Sequence, residues 1–298
     1  MKSETFHFQV GSFSCIAIKD DAPSYPLGMF LTNLAKERYE PGLLQRGEDP
    51  EHIELPYTCL YINAGRERLL VDTGIGVDSS SPTKGKLLPL LRAEGIEPHE
   101  IGTVILSHGH PDHVGGSLNE AGQPAFRNAR YVMFQKEWDF WMSNPSLAEL
   151  PVDESFKKRM LASAQKHLPG VQAQLDLVDP DTQIVPGIIA IAAFGHSPGQ
   201  MGLEISSAEH RLLFVADAIV HPLHLQYPEA IGMTDHVPSQ MVETRIKLLE
   251  KAAREKSLVS TSHFAFPGLG YVAPKQNRWE WRATAGMAEA RVVGHPNQ

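Results

Sequence analysis

The 298-residue chain is 42% apolar and 21% charged, which suits a globular fold with a sizeable core and excludes a disordered or fibrous one. Its 27 basic and 35 acidic residues leave a net charge of −8 with no basic stripe, so no nucleic-acid partner is expected. No run approaches the roughly 18 apolar residues of a membrane span, and the polar start Met1-Lys2-Ser3-Glu4 lacks the apolar core of an export signal. Cys15 and Cys59 stand alone, outside any C-x-x-C pair. The expectation is a reduced, cytoplasmic protein that does not engage membranes.

In chain order, residues 6–10 and 13–19 read as strands broken at Gly11. From 20 to 56 prolines and glycines replace periodicity, around an apolar patch at Leu27-Gly28-Met29-Phe30-Leu31 that reads as exposed. A loop this long in a compact domain is expected to be a lid, or else a loop packed on the sandwich or on a second subunit, which leaves room for a homodimer. Residues 59–63 and 68–72 form a hairpin about Ala64-Gly65. A helix follows over 84–94, stopped by Gly95, and then a buried strand, 103–106, that runs into Ser107-His108. The middle is more helical, over 134–142 and 155–167. Strands return at 188–193, 202–206 and 211–215. Pro238 opens a helix with apolar spacing at Val242, Ile246, Leu249 and Ala253, and 258–262 is a last buried strand. No internal repeat or low-complexity segment appears, and the whole of 1–298 reads as one domain.

The strongest chemical signal is His108-Gly109-His110-Pro111-Asp112-His113, three imidazoles and a carboxylate within six residues of a strand end. These are the donors that zinc and other borderline divalent ions prefer. Gly109 lets two alternate side chains turn to one point, and Pro111 stiffens the bend that sends Asp112 and His113 to a neighbouring one. His196, in Gly195-His196-Ser197-Pro198-Gly199, would be weak alone. Asp217 and His263, however, each end an apolar strand, and a buried carboxylate demands a cation or donors nearby. Single ligand-type groups at the ends of three apolar strands are hard to explain without metal.

These residues resemble the metallo-β-lactamase superfamily from about Tyr57 to Phe264, including Leu70-Val71-Asp72-Thr73-Gly74. The resemblance implies a four-layer αββα sandwich of two mixed sheets with helices outside. It implies one metal held by His108, His110 and His196, a second by Asp112, His113 and His263, and Asp217 bridging them. Asp72 would orient a ligand histidine through its other ring nitrogen, or cap the turn before Gly74. Two divalent ions, zinc first and iron, manganese or cobalt as alternatives, would lower the pKa of a bridging water to a hydroxide nucleophile. Asp112 would shuttle the proton.

Within the superfamily the chain is most similar to the lactonases and methyl-parathion-hydrolase-like enzymes, on Ala216-Asp217-Ala218-Ile219-Val220-His221-Pro222 and on Ser262-His263-Phe264-Ala265-Phe266-Pro267-Gly268. The resemblance implies hydrolysis of a small-molecule carboxylic ester or lactone, with phosphotriesters as a side activity. Where lactonases carry a tyrosine after the bridging aspartate, this chain has Ile219, Val220 and His221. That makes His221 a catalytic candidate, and Tyr227 a packing residue. Phe30, Phe264 and Phe266 are expected to line an apolar substrate pocket. Met29, Trp138 and Trp141 are weaker candidates, read first as core. The alternatives are a glyoxalase II-like thioesterase, an iron-containing oxidoreductase on the same ligands, and a metal-binding protein without turnover.

Overall fold

The structure, a computed structural model, describes residues 3–77 and 84–284. The first part of the chain supplies strands β1 (Thr5–Val10) and β2 (Phe13–Asp21), then an excursion with β3 (Ser24–Pro26), α1 (Glu40–Gln45) and β4 (His52–Glu54). It continues through β5 (Tyr57–Ala64), β6 (Glu67–Val71), α2 (Leu87–Ala93), β7 (Thr103–Ile105), the short α3 (Pro111–Val114), β8 (Arg130–Phe134), α4 (Gln135–Met142), α5 (Glu154–Gly170) and β9 (Leu175–Val178). The second part supplies β10 (Gln183–Val185), β11 (Ile188–Ala192), β12 (Met201–Ser207), β13 (His210–Phe214), α6 (Leu223–Gln226), α7 (Pro238–Glu255), β14 (Leu258–Ser260), β15 (Leu269–Lys275) and β16 (Arg278–Ala283).

Two seven-stranded sheets result, in the orders β1-β2-β5-β6-β7-β8-β9 and β10-β11-β12-β13-β14-β15-β16. Both are mixed: β6 to β9 run parallel beside an antiparallel meander, and β13 pairs in parallel with β14 in an otherwise antiparallel sheet. The period-2 alternation of each strand sends one set of side chains between the sheets and the other to the helices. Cys15, Ala17, Leu69 and Val71 meet Leu203, Ile205, Leu212 and Phe214 in the central layer. Their neighbours Ile16, Ile18 and Leu70 face outward onto Leu87, Leu91, Met160, Ala164 and Leu168 of α2 and α5. On the far side Leu213, Val215 and Val259 pack under Met241, Leu248, Leu249 and Ala252 of α7. The expected αββα layering holds.

Three readings are corrected. The apolar patch of the 20–56 excursion is not exposed, for Leu27 and Leu31 are 0% and 1% exposed and pack with Leu43, Leu223 and Ala230. The excursion also has structure of its own, β3 paired with β4 and the α1 turn. The buried face of α7 is Met241, Arg245, Leu248, Leu249 and Ala252 rather than the Val242–Ile246 stripe. Arg245 accounts for the rotation: its guanidinium is fully desolvated and donates to the carbonyls of Ala218 (2.7 Å), Pro228 (3.0 Å) and Ala230. Three carbonyl acceptors make that burial tolerable, and apolar spacing alone does not register an arginine on a core face.

Candidate metal centre

The candidate ligands leave the strands at one common edge. His108 lies three residues beyond β7, Asp217 three beyond β13, His263 three beyond β14 and His196 four beyond β11, while β6 runs directly into Asp72. The two sheets are tied there by the Met201 N–H donating to the Ser107 carbonyl at 2.8 Å. Gly109 has no room for a side chain, since a Cβ would sit 2.3 Å from the Trp141 indole nitrogen, and a Cβ on Gly199 would come 2.2 Å from the Glu137 backbone nitrogen. Both ligand-bearing loops therefore press onto α4.

All seven expected side chains converge. His108, His110 and His196 bring their donor atoms within 4.8 Å of one another, as do Asp112, His113 and His263. Asp217 lies between the sets, with one carboxylate oxygen 3.3 Å from His113 Nε2 and the other 3.3 Å from His196 Nε2 and 3.0 Å from His263 Nε2. Asp112 Oδ2 is 3.4 Å from His113 Nε2 and 3.6 Å from His263 Nε2.

The outer ring nitrogens are held from behind. His113 Nδ1 meets Asp72 Oδ2 at 2.8 Å, and His196 Nδ1 meets Asp235 Oδ1 at 2.8 Å. His263 Nδ1 donates to the Pro56 carbonyl at 2.9 Å, and His108 Nδ1 lies 3.1 Å from the Ser107 hydroxyl. His110 presents Nδ1 to the cluster and Nε2 to His236 at 3.4 Å. Each imidazole is thereby left with one nitrogen free to donate a lone pair inward.

Those inward atoms test whether a metal fits. His108 Nε2, His113 Nε2 and Asp217 Oδ1 are buried without a hydrogen-bond partner. Three orphaned polar atoms on facing side chains would be a heavy cost in a core, and cations relieve it together. The electrostatics divide the cluster: against the pull of burial, Asp217 and Asp112 hold His113 and His263 above the ordinary histidine range, so a cation would have to displace their protons. Burial, then the neighbouring imidazoles, hold His108 and His110 well below the ordinary histidine range, so both offer neutral nitrogens. Against the opposing pull of burial, His263, His113 and His196 hold Asp217 ionised.

Sequence reading misses the residues behind this cluster. Glu137 is fully buried, and its carboxylate accepts from the Gly109 N–H (2.9 Å), the Gly199 N–H (2.8 Å), the Trp141 indole (2.7 Å) and the Ser197 hydroxyl (2.6 Å). Four donors offset the burial that pushes its carboxyl up. The available signal was a glutamate four residues before a tryptophan on the apolar side of a helix. Asp235 and His236 lie in a loop with no strand to announce them.

Of the pocket expectations, burial overturns Phe264. Phe264 is 2% exposed and packs on Trp281 at 4.8 Å between centroids, inside the core under α7. Phe266 packs against the layer between the sheets beneath Lys19, because the chain after His263 turns back into β15. Trp141 is buried and committed to Glu137. His221 joins none of the metal-type groups; its Nδ1 accepts the Leu223 N–H at 3.2 Å, and burial pushes it down to about 4. Tyr227 packs as expected, donating to the Arg38 carbonyl at 2.7 Å. Phe30 does reach the site's surroundings, half-buried against Tyr25 and near Tyr57, whose ring meets His263.

Fold, ligand convergence and comparison with known proteins agree on a class. The metallo-β-lactamase superfamily model matches residues 52–263, and the chain belongs to that superfamily. It is 24% identical over 230 residues to the N-acyl homoserine lactonase AiiA of Bacillus thuringiensis subsp. kurstaki, covering 71% of this chain and 82% of the relative. The N-acyl homoserine lactonase of Bacillus cereus is 23% identical over 235 residues, 71% of this chain and 82% of the relative. Among solved structures, AidC, a dizinc quorum-quenching lactonase in complex with a product, N-hexanoyl-L-homoserine, superposes with a TM-score of 0.88 at 25% identity, over 96% of this chain and 99% of that one. The hydrolase AbOPH gives 0.85 at 22% identity, over 95% and 98%.

Proposed function

We propose that the protein is a dinuclear metal-dependent hydrolase that opens lactones or cleaves carboxylic esters. His108, His110 and His196 would hold one ion, Asp112, His113 and His263 the other, with Asp217 shared. The observation that carries this reading is the set of inward-facing donors, each imidazole fixed from behind and three of the atoms otherwise orphaned. Similarity to a lactonase described as dizinc supports zinc as the resident metal and a lactone as the substrate. Bound divalent ions would polarise the acyl carbonyl and make water acidic enough to attack near neutral pH.

The chain's own groups do the rest. Asp112 has a side chain 21% exposed, against 6% or less for Asp217, His113, His196 and His263, so it stands at the mouth. It would take the proton from the attacking water and return it to the alkoxide released when the acyl carbon–oxygen bond breaks. The segment from β3 to β4, with Phe30, would cap the acyl side. Cys15 and Cys59, both buried and unpaired, support a reducing, cytoplasmic setting. No helix among the described residues is long and apolar enough to cross a membrane.

A panel of lactones, aryl esters, thioesters and phosphotriesters, run on the zinc-loaded protein, tests the reading. Lactone or ester turnover is expected, with Asp112→Asn lowering kcat more than it raises KM. Preference for thioesters would replace the reading with a glyoxalase II-like one, and redox-active iron in the purified protein would replace it with an oxidoreductase.

A further inference from the structure

Beside the metal centre two phenols face each other. Tyr57, the first residue of β5, is 8% exposed, and its ring meets the His263 ring edge-on at 5.7 Å between centroids. Tyr25, in β3, is half-buried over it, with the two hydroxyl oxygens 2.7 Å apart. Phe30 closes on Tyr25 from the other side at 6.4 Å, and Leu55, Ile53, Ile75 and Val220 pack around the pair. The Asp112 carboxylate is close enough to act electrostatically on both hydroxyls. The placement is firm, because Tyr57 lies between Pro56, whose carbonyl meets His263 Nδ1, and Thr58, whose N–H reaches the Ser262 carbonyl at 3.0 Å. Tyr57 moves only with His263.

The protons of the pair do not balance. Two hydroxyls carry two protons, and one of these lies between the oxygens. Tyr57 is buried with no other hydrogen-bond partner among the described residues, so it must donate to Tyr25 or bury an unsatisfied O–H. Tyr25 then accepts, and its own proton has no partner among the described residues. A donor left unassigned on the His263 side of the cluster faces whatever oxygen arrives there.

We propose that the Tyr25 hydroxyl donates a hydrogen bond to the carbonyl oxygen of the ester or lactone, and that Tyr57 is the positioning residue that aims it. The inference rests on the hydrolase reading above. Charge grows on that oxygen as the acyl carbon is attacked, so the bond is stronger in the transition state than in the bound substrate and acts on kcat. No covalent step involves either phenol.

The test uses full-length zinc-loaded wild type, Tyr25→Phe, Tyr57→Phe and the double variant on a lactone the wild type hydrolyses. Phenylalanine keeps each ring and removes only the hydroxyl. Tyr25→Phe should lower kcat about tenfold or more, as loss of an oxyanion donor does, with KM and zinc per chain at wild-type values and a melting temperature that falls because Tyr57 loses its acceptor. Tyr57→Phe should give a smaller loss of the same kind, and the double variant should be no slower than Tyr25→Phe, since one hydroxyl acts through the other. Wild-type kcat in Tyr25→Phe, a loss explained by missing zinc, or two effects that simply multiply would each overturn the inference while lactone turnover by the wild type leaves the hydrolase reading standing. A wild type inactive on every lactone and ester would overturn that reading, and this one with it.

Discussion

The metal cluster and the excursion of residues 20–56 are built on opposite principles. In the cluster the side chains follow strand ends, and the imidazoles are tied from behind to named partners. The excursion, with its short β3–β4 pair and α1 turn, is held by other segments. Thr32 donates to the Ile231 carbonyl at 2.9 Å, Met233 to the Met29 carbonyl at 2.7 Å, and His224 Nε2 meets the Phe30 carbonyl at 3.0 Å. The difference teaches where each property is encoded. The candidate ligands are written in short local patterns at strand ends, and the 20–56 segment is placed by partners that lie roughly 200 residues away.

That contrast can be broken by mutation, most severely at the cluster. Asp217→Asn should cost well over about a hundredfold in turnover, beyond the 10–100-fold of outer positions, with zinc per chain falling from two on elemental analysis. Asp235→Ala, which frees only the back of His196, should weaken zinc retention by about 10–100-fold in chelator competition. The two phenylalanines sharpen the comparison. Phe264→Ala should destabilise the fold by about 3–5 kcal/mol in denaturant titration and leave acyl-chain preference unchanged. Phe30→Ala should cost only about 1–2 kcal/mol yet shift KM between short and long acyl lactones.

A buried carboxylate near the cluster adds a pH test. Burial raises Asp20 to about 6 from 3.8, against the opposing N–H donors of Ile75 (2.9 Å) and Leu87 (2.7 Å). Below pH 4 the folded and unfolded chains both hold the proton. As pH rises toward 6 the unfolded chain releases it first, so this group's contribution to stability falls, by an amount on the order of 3 kcal/mol. Asp20→Asn should remove that part of the slope from stability measured between pH 4 and 6. The smallest effect belongs to His221→Asn. It should change kcat less than about threefold, because a ring outside the reacting atoms adds little to transition-state binding.

Much of the cluster was legible because its donors cluster in sequence or follow apolar strands, as with His108 to His113, Asp217 and His263. The fold followed from strands whose two faces are both apolar, such as Leu69-Leu70-Val71. What escaped was whatever depends on a distant partner. Phe264 was read as a pocket residue because it follows a ligand, but adjacency in sequence does not fix which way a side chain points once the chain turns into β15. Glu137, Asp235 and Arg245 stayed invisible for the same reason: each satisfies groups from segments remote in sequence, and no periodicity marks a polar residue as buried.

Glu137 carries one more consequence. Its four donors come from the loop that bears His108 and His110, from the loop that bears His196, and from its own helix. The two loops hang from different sheets, so the carboxylate finds all its partners only after the sheets have docked. If ions bind between those loops, chelation should loosen the seam between the two halves of the chain before it melts either of them.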